Sequence, residues 1–280
     1  MEVFSIKLGE EYNLGTNATL TAYLPQNLKE MGWENDLRPA VVLCPGGGYR
    51  MVSEREAEPV ALKLLTLKLN VFILNYSVAP ARYPTQLLEV AAAFDIITKN
   101  AKNWHTDKNN IGVMGFSAGG HLAAHYSNRF DIEEIKKVVK NPKQPDFCVL
   151  GYPVISADPA VCHLGSFKNL LGIEDVNKEI VENYSCDRMV NENTPKTFIF
   201  TTCTDATVPA VNSMLYSTAL AKNNIPYCLH IYPYGRHGLA TADEISCGEK
   251  HLTSPAVYRV ADWIEEFKHW VRYSVYKNEE

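Results

Sequence analysis

The stretch that decides the fold runs from Ile111 to Ala124 and reads IGVMGFSAGGHLAA. Its first six residues are apolar enough for a buried β-strand, and the small residues from Ala118 onward favour a helix. Between them, Gly115-Phe116-Ser117-Ala118-Gly119 matches the pattern G-x-S-x-G. A tight strand-to-helix turn of this kind lifts a serine hydroxyl out of the sheet and needs glycines where a β-carbon would clash. We therefore interpret Ser117 as a nucleophile, the alternative being a serine that only caps the helix.

The same alternation of strand and helix extends outward over most of the chain. Several of the strand candidates are almost continuously apolar, as in a parallel sheet with both faces covered, and helix-period runs separate them. This order predicts right-handed crossovers and a doubly wound, mostly parallel α/β sheet. Thr19–Leu24 alternates in polarity and is predicted as an antiparallel edge strand. The strand candidates are Thr19–Leu24, Ala40–Cys44, Val71–Tyr76, Ile111–Phe116, Phe147–Tyr152, Lys196–Thr202 and Tyr227–Tyr232. The helix candidates are Glu54–Lys68, Thr85–Ala101, Ala118–Asn128, Pro209–Asn223 and Ser254–Tyr273.

One connection, from Pro153 to Pro195, is too long for a simple crossover. It carries modest helical signals at Phe167–Leu171 and Lys178–Tyr184. Long connections in compact domains tend to be functional, so we interpret residues 153–195 as a lid or pocket wall. A surface excursion without a role is the alternative. Since the sequence has no repeat, low-complexity tract or linker, we expect a single domain over residues 1–280.

Composition and charge exclude several classes of protein. The 280 residues are 46% hydrophobic and 21% charged, which argues against disorder and coiled coil. The formal net charge is −5 without a large basic cluster, which argues against a nucleic-acid partner. No apolar run reaches the length of a membrane span, and the N-terminus lacks the pattern of a signal peptide. Seven scattered cysteines without a C-x-x-C pair indicate reduced thiols in a cytoplasmic protein and no zinc site.

A serine nucleophile needs a base within hydrogen-bonding reach, and eight histidines compete for that role. His237 stands directly after the last strand candidate, in Tyr234-Gly235-Arg236-His237-Gly238. Its loop should emerge at the carboxyl edge of the sheet, where Ser117 also lies. His121 and His125 are four residues apart on the Ser117 helix and suggest a metal pair. No third ligand accompanies them, so we interpret them as packed or surface histidines.

The base in turn needs an acid that holds its tautomer. Asp205 follows the penultimate strand candidate and precedes a helix that Pro209 can start. Asp243 lies only six residues after His237, in a helical stretch, and Asp95 lies in mid-helix as a structural partner for a loop. Asp205 is therefore our candidate for the acid.

A glycine-rich loop, Pro45-Gly46-Gly47-Gly48-Tyr49, follows the strand candidate Ala40–Cys44. Such glycines let backbone N–H groups approach and stabilise a developing oxyanion. A flexible turn or a phosphate loop is the alternative, although the Gly-Lys-Ser/Thr and G-x-G-x-x-G patterns of phosphate and dinucleotide loops are missing.

Taken in chain order, these pieces resemble the esterase/lipase branch of the α/β-hydrolase family that is related to hormone-sensitive lipase. The segment Asn75-Tyr76-Ser77-Val78-Ala79-Pro80 is similar to that branch's D-Y-R-L-A-P segment. The combination of P-G-G-G-Y with G-F-S-A-G-G-H-L-A resembles small bacterial carbohydrate acetyl esterases and sugar hydrolases. This sequence departs from the branch in three ways. Pro45 stands where the branch usually has His, D-Y-R-L becomes Asn75-Tyr76-Ser77-Val78, and only about 37 residues precede Arg38, where true relatives of hormone-sensitive lipase have a long N-terminal cap.

The resemblance implies an α/β-hydrolase fold with a short cap-like insertion after the sixth strand of that fold. It implies Ser117 as nucleophile, His237 as base and Asp205 as acid, and an oxyanion hole formed by the N–H groups of Gly47, Gly48 and Ala118. No metal or organic cofactor is implied. Neighbours of these positions in the chain are candidates for lining the pocket, with core packing as the alternative. These candidates are Tyr49, Tyr152, Val208 and Leu239.

The function expected from this reading is a serine carboxylesterase that removes acetyl or other short acyl groups from small polar or carbohydrate esters. A peptidase or amidase such as a formamidase, working with the same three residues, is one alternative. A non-catalytic α/β hydrolase that acts as a binding protein is another. We expect a small-molecule ester, such as an acetylated sugar, as the partner, with no nucleic acid and no membrane. A homodimer is compatible with the sequence, since symmetric dimers are common.

Overall fold

The computed structural model describes residues 1–247 and 258–276, and a mixed β-sheet runs through its centre. In this part of the chain the sheet has eight strands in the order β1-β2-β4-β3-β5-β6-β7-β8. β1 pairs antiparallel with β2 and β2 antiparallel with β4, whereas all the other neighbours are parallel. The strands are β1 Glu2–Lys7, β2 Thr19–Leu24, β3 Arg38–Cys44, β4 Asn70–Asn75, β5 Thr106–Phe116, β6 Cys148–Gly151, β7 Thr197–Thr202 and β8 Tyr227–Tyr232.

Helices cover both faces of this sheet. Their bounds within the described residues are α1 Leu8–Glu11, α2 Glu58–Leu65, α3 Thr85–Asn100, α4 Ser117–Arg129, α5 Glu133–Val138, α6 Leu164–Leu171, α7 Lys178–Tyr184, α8 Val211–Lys222, α9 Glu244–Cys247 and α10 Trp263–Ser274. Short 3₁₀ turns lie at Lys29–Met31, Glu54–Glu56, Cys186–Arg188 and Arg259–Asp262. None of the helices in the described part of the chain has both the length and the apolar character that crossing a lipid bilayer requires.

The core has two layers, one on each face of the sheet. Successive residues of β3 point to opposite faces, so Val42 packs into the layer under α3, α4 and α8, and Val41 packs into the layer under α2 and α10. Every residue of β3 is buried. A central strand covered on both sides needs apolar side chains at almost every position, which explains the continuous apolar runs in the sequence.

The predicted α/β-hydrolase fold is confirmed, and each of the seven predicted strands is present. One prediction about β2 is wrong: Thr19–Leu24 is antiparallel but does not lie at the edge. β1, which sequence analysis missed, pairs with it and takes the edge position. β1 alternates between exposed and half-buried residues, so its short sequence carries little apolar signal.

The last predicted helix, Ser254–Tyr273, lies partly outside the described residues. His251, one of the eight histidines, lies entirely outside them. Its described part is a 3₁₀ turn at Arg259–Asp262 followed by α10. α5 was also missed, whereas α7 has the predicted bounds. Because β3 and β5–β8 are parallel, the loops that follow them all leave the sheet at one edge, and the candidate site lies there.

Candidate active site

Ser117 lies at the sharp turn between β5 and α4. Its φ of 53° is in the left-handed region, which is strained for a residue with a side chain. Two flanking glycines make the turn possible because the backbone approaches itself closely. A β-carbon on Gly115 would lie 2.0 Å from the Gly119 carbonyl oxygen, and one on Gly119 would lie 2.1 Å from that of Cys44. The turn therefore has the geometry that the G-x-S-x-G pattern predicts.

The hydroxyl of Ser117 is hydrogen-bonded to an imidazole that comes from a distant part of the chain. Ser117 Oγ lies 2.8 Å from His237 Nε2, and His237 Nδ1 lies 2.6 Å from Asp205 Oδ2. Three side chains separated by up to 120 positions thus form one continuous chain of hydrogen bonds. This arrangement can take a proton from the serine and hold the resulting imidazolium against a carboxylate.

Asp205 is held rigidly by the backbone of its own loop. Its Oδ1 accepts hydrogen bonds from the N–H groups of Thr207 and Val208, each at 2.9 Å, which leaves Oδ2 for the imidazole. The Asp205 side chain is 1% exposed and that of His237 is 18% exposed. The carboxylate is therefore sealed inside the protein, whereas the imidazole borders the cavity.

The glycine loop after β3 lies beside this chain of hydrogen bonds. Gly47 and Gly48 have positive φ angles of 125° and 64°, and both line the same cavity as Ser117. Within the described residues, neither of their N–H groups donates a hydrogen bond. Ala118 lies in the first turn of α4, where an N–H group has no acceptor within its own helix. All three N–H groups are thus available, which agrees with their predicted role in an oxyanion hole.

The cavity that contains Ser117 and His237 has a volume of about 440 Å³. Most of the side chains that line it are of polar or charged types, and some of them come from the long connection between β6 and β7. The lining residues are Gly47, Gly48, Arg50, Met51, Ser53, Arg55, Glu56, Ser117, His163, Gly165, Asn169, Thr207, His237 and Gly238.

Residues 153–195 contribute two polar side chains to this wall. His163 Nδ1 lies 2.8 Å from Ser166 Oγ, and Asn169 Nδ2 donates to the Gly48 carbonyl oxygen at 2.8 Å. Burial, and next the nearby His237, lower the pKa of His163 below its usual range. Asn169 therefore joins the insertion directly to the glycine loop, and His163 presents a neutral imidazole at the cavity.

The four side chains predicted to line the pocket do not line this cavity. Tyr49, Tyr152, Val208 and Leu239 are each at most 2% exposed and pack into the core. Gly48, Thr207 and Gly238, their chain neighbours, line the cavity in their place. The reason is that successive residues in a tight loop point in different directions, so closeness in sequence to the site does not place a side chain in it. Tyr152 still touches the site, since its ring lies 5.0 Å from that of His237.

His121 and His125, the possible metal pair, are both buried in α4. His121 Nδ1 accepts from the hydroxyl of Tyr49 at 2.9 Å, and its Nε2 donates to the Tyr184 carbonyl oxygen at 2.9 Å. The ring of Tyr83 stacks on His125 with centroids 5.5 Å apart. No group of three side chains suited to hold a metal ion occurs in residues 1–247 or 258–276. Of the two placements that we predicted for these imidazoles, packed or on the surface, burial shows that both are packed.

Sequence analysis missed one carboxylate at the site. Glu56 is 2% exposed, although its segment Ser53-Glu54-Arg55-Glu56 is as polar as a surface turn. Nothing in this segment distinguishes Glu56 from a surface carboxylate such as Glu54. The cavity residues Arg50, Arg55, His163 and Asn169 were also missed, because their side chains reach the site only through the folded path of their loops.

Comparisons with known proteins identify the family and the solved structures to which this chain is similar. A family model described as BD-FAE matches residues 21–220. The endo-1,4-beta-xylanase B of Butyrivibrio fibrisolvens is 32% identical over 217 residues, which are 74% of this chain and 33% of that protein. The acetylxylan esterase of Xylanibacter ruminicola is 34% identical over 209 residues, which are 73% of this chain and 42% of that protein. The chain thus spans about a third to two fifths of the length of these curated relatives.

A solved structure covers more of the chain. The acetyl ester-xyloside bifunctional hydrolase of Caldicellulosiruptor lactoaceticus is 35% identical, with a TM-score of 0.78. The similarity covers 92% of this chain and 88% of that one.

Proposed function

This chain belongs to the BD-FAE family of α/β hydrolases, and from that membership we propose that it is a serine carboxylic-ester hydrolase. It removes short acyl groups, acetyl first among them, from small polar or carbohydrate esters. The observation that carries the proposal is the continuous hydrogen-bonded chain from Ser117 through His237 to Asp205. Relatives and neighbours whose names include acetylxylan esterase and acetyl ester-xyloside hydrolase support the same chemistry.

The first half of the reaction forms an acyl-enzyme. Ser117 Oγ attacks the ester carbonyl carbon while His237 Nε2 takes the hydroxyl proton. Negative charge moves to the carbonyl oxygen, and the N–H groups of Gly47, Gly48 and Ala118 stabilise it. Asp205 keeps the Nδ1–H tautomer of His237 and stabilises the imidazolium. The tetrahedral intermediate then collapses, His237 gives its proton to the leaving alkoxide, and the alcohol departs.

The second half releases the acid by the same steps. Water enters the cavity, His237 takes one of its protons, and the hydroxide attacks the acyl carbon. The intermediate rests on the same three N–H groups, and Ser117 leaves with the proton that His237 returns. In both halves side chains move the protons and backbone N–H groups stabilise the oxyanion, and the acyl group ends on the oxygen of water.

Replacing the nucleophile tests the proposal directly. We expect Ser117→Ala to lower the kcat for p-nitrophenyl acetate on the order of 10⁶-fold and to abolish covalent labelling by a fluorophosphonate probe. Ser127→Ala is the matched control, because Ser127 lies on the same helix and its hydroxyl donates to the Ala123 carbonyl oxygen, away from the cavity. Near-normal turnover in Ser117→Ala would refute the proposal.

The acyl preference is a second expectation. A cavity of about 440 Å³ must hold both the acyl group and the alcohol, so we expect acetate esters to react faster than butyrate or octanoate esters of the same alcohol. The ratio of kcat/KM values along this series measures the preference. Rates that rise with chain length would contradict it.

The cavity wall includes the polar side chains of Arg50, Ser53, Arg55, Asn169 and Thr207. Such groups pair with hydroxyl groups of a sugar, which supports acetylated oligosaccharides as substrates. Acetate release from a panel of acetylated xylo-oligosaccharides tests this choice. An enzyme that hydrolyses p-nitrophenyl acetate but none of these sugars would contradict it.

Comparing p-nitrophenyl acetate with p-nitroacetanilide separates an esterase from an amidase, and we expect the ester to be strongly preferred.

A further inference from the structure

A buried carboxylate outside the serine–histidine–aspartate chain joins the loops that carry it. Glu56 ends the 3₁₀ turn Glu54–Glu56 and is 2% exposed. Its Oε2 accepts from the N–H of Gly46 at 2.8 Å, and its Oε1 accepts from the hydroxyl of Tyr152 at 2.8 Å. Both carboxylate oxygens therefore hold groups of the active-site loops.

The first of these bonds anchors the glycine loop next to the nucleophile. A β-carbon built on Gly46 would lie 2.6 Å from Glu56 Oε2 and 2.9 Å from Ser117 Cβ. In space, Gly46 therefore lies between the Glu56 carboxylate and the side chain of Ser117. The Gly46 carbonyl oxygen also accepts from Ser53 N–H at 3.0 Å, so the loop is held to this turn at two points.

The second bond reaches the loop of the base. Tyr152 accepts a hydrogen bond from Ala240 N–H at 2.9 Å, three residues after His237, while its ring packs edge-on against the imidazole. Burial, and next the charge of Glu56, raise the pKa of the Tyr152 phenol well above its usual value. The phenol therefore stays protonated. Its hydroxyl donates a hydrogen bond to Glu56 and accepts one from the N–H of Ala240. The Ala240 carbonyl oxygen is held in turn by Trp263 Nε1 at 2.9 Å.

We propose that Glu56 is a positioning residue that aligns the oxyanion loop and the histidine loop with each other through Gly46 and Tyr152. This inference rests on the proposed esterase function. Oxyanion donors and the base must be placed to within a fraction of an ångström, and misplacement of about 1 Å can cost 10² in rate. A single carboxylate that fixes both loops therefore acts on kcat more than on substrate binding.

Four variants test the proposal, with kcat and KM for p-nitrophenyl acetate expressed per fluorophosphonate-reactive site. Glu56→Ala removes both acceptors, and we expect a kcat about 100-fold lower with KM changed less than about threefold. Glu56→Gln keeps an acceptor for Gly46 N–H, so it should retain more activity, about tenfold below the unaltered enzyme. Tyr152→Phe should cost about tenfold as well. Because both residues belong to one network, the double variant Glu56→Gln/Tyr152→Phe should be within about twofold of the worse single variant.

Glu54→Gln is the matched control, since Glu54 is an exposed carboxylate in the same turn, and it should behave like the unaltered enzyme. Melting temperatures separate loss of folding from loss of alignment, and the Gln and Phe variants keep the test valid if Glu56→Ala does not fold. Glu56 variants with a kcat per site within twofold of normal would overturn the inference, as would effects that multiply in the double variant. Absence of esterase activity and of probe labelling in the unaltered protein would instead overturn the proposed function and this inference with it.

Discussion

In the part of the chain that the structure describes, two histidines from different regions form hydrogen bonds with both ring nitrogens. His237 lies between a carboxylate and the hydroxyl of Ser117 at the edge of the cavity. His121 lies between the hydroxyl of Tyr49 and a backbone carbonyl oxygen inside the core. Burial lowers the pKa of His121 to about 4. A neutral imidazole without a carboxylate partner cannot gain a proton easily, so it cannot serve as a base that becomes charged during a reaction.

This difference teaches what makes a histidine functional in this protein. Both imidazoles are fully hydrogen-bonded and both are next to active-site loops, since Tyr49 directly follows Gly48. The distinguishing features are the charge of the partner and access to the cavity. Asp205 supplies a negative charge that stabilises an imidazolium, whereas the Tyr49 hydroxyl and the Tyr184 carbonyl group supply none.

The largest expected effect comes from exchanging each imidazole for an amide. We expect His237→Gln to lower kcat by about 10⁴- to 10⁶-fold with little change in melting temperature, because the base is lost while the fold is kept. His121→Gln should keep kcat per active site within about tenfold and lower the free energy of unfolding by about 1–3 kcal/mol. Steady-state kinetics and urea unfolding measure the two effects. An equal loss of turnover per active site in His121→Gln and His237→Gln would contradict the distinction between a packing histidine and a catalytic one.

Acid should destabilise the fold through the buried imidazole. Below pH 6.5 the unfolded chain protonates His121, but the folded protein does not until about pH 4, so unfolding takes up a proton in this window. Stability therefore falls as the pH falls from about 6.5 to about 4 and changes no further through this group below that. The loss is on the order of 3 kcal/mol. Burial also lowers the pKa of His125, which adds a loss of the same sign.

Urea unfolding between pH 4.5 and 7.5 measures this dependence. His121→Gln should show a flatter profile than the unaltered protein, and His269→Gln, which changes an exposed histidine, should not. Parallel profiles for His121→Gln and the unaltered protein would show that His121 does not titrate as its burial implies.

The smallest expected effect concerns the hydroxyl group that holds His121. Tyr49→Phe removes the donor to His121 Nδ1 and leaves that buried nitrogen without its partner, which should cost about 1–2 kcal/mol of unfolding free energy. Tyr234→Phe serves as the control, since Tyr234 is 59% exposed. Equal stabilities for the two variants would mean that the Tyr49–His121 hydrogen bond contributes nothing to the free energy of unfolding. The Asp205 carboxylate beside His237 would then be the one hydrogen-bonding difference between the two imidazoles that matters.

Much of this site was predictable because its signals are local. The turn at Ser117 is encoded by its own glycines, and the glycine loop by three consecutive residues after a strand. His237 and Asp205 could be chosen because both follow strands of a parallel sheet, whose carboxyl ends meet at one edge. The pocket lining was not predictable in this way. Whether Gly48 or Tyr49 faces the cavity depends on backbone angles within a single loop, and the sequence does not encode these angles separately.

By itself, the sequence determined the seven strands from β2 to β8, the turn that exposes Ser117, and which loops leave the sheet at the carboxyl edge. Each of these depends on residues close together in the chain, where periodicity and glycine placement act directly. Only the tertiary structure decided that Glu56 is buried, which residues of the 153–195 connection reach the cavity, and that Tyr152 bonds to both Glu56 and Ala240. These features arise from contacts between segments about 90 to 120 residues apart. Polarity along the chain does not indicate which distant group will bond to a buried carboxylate.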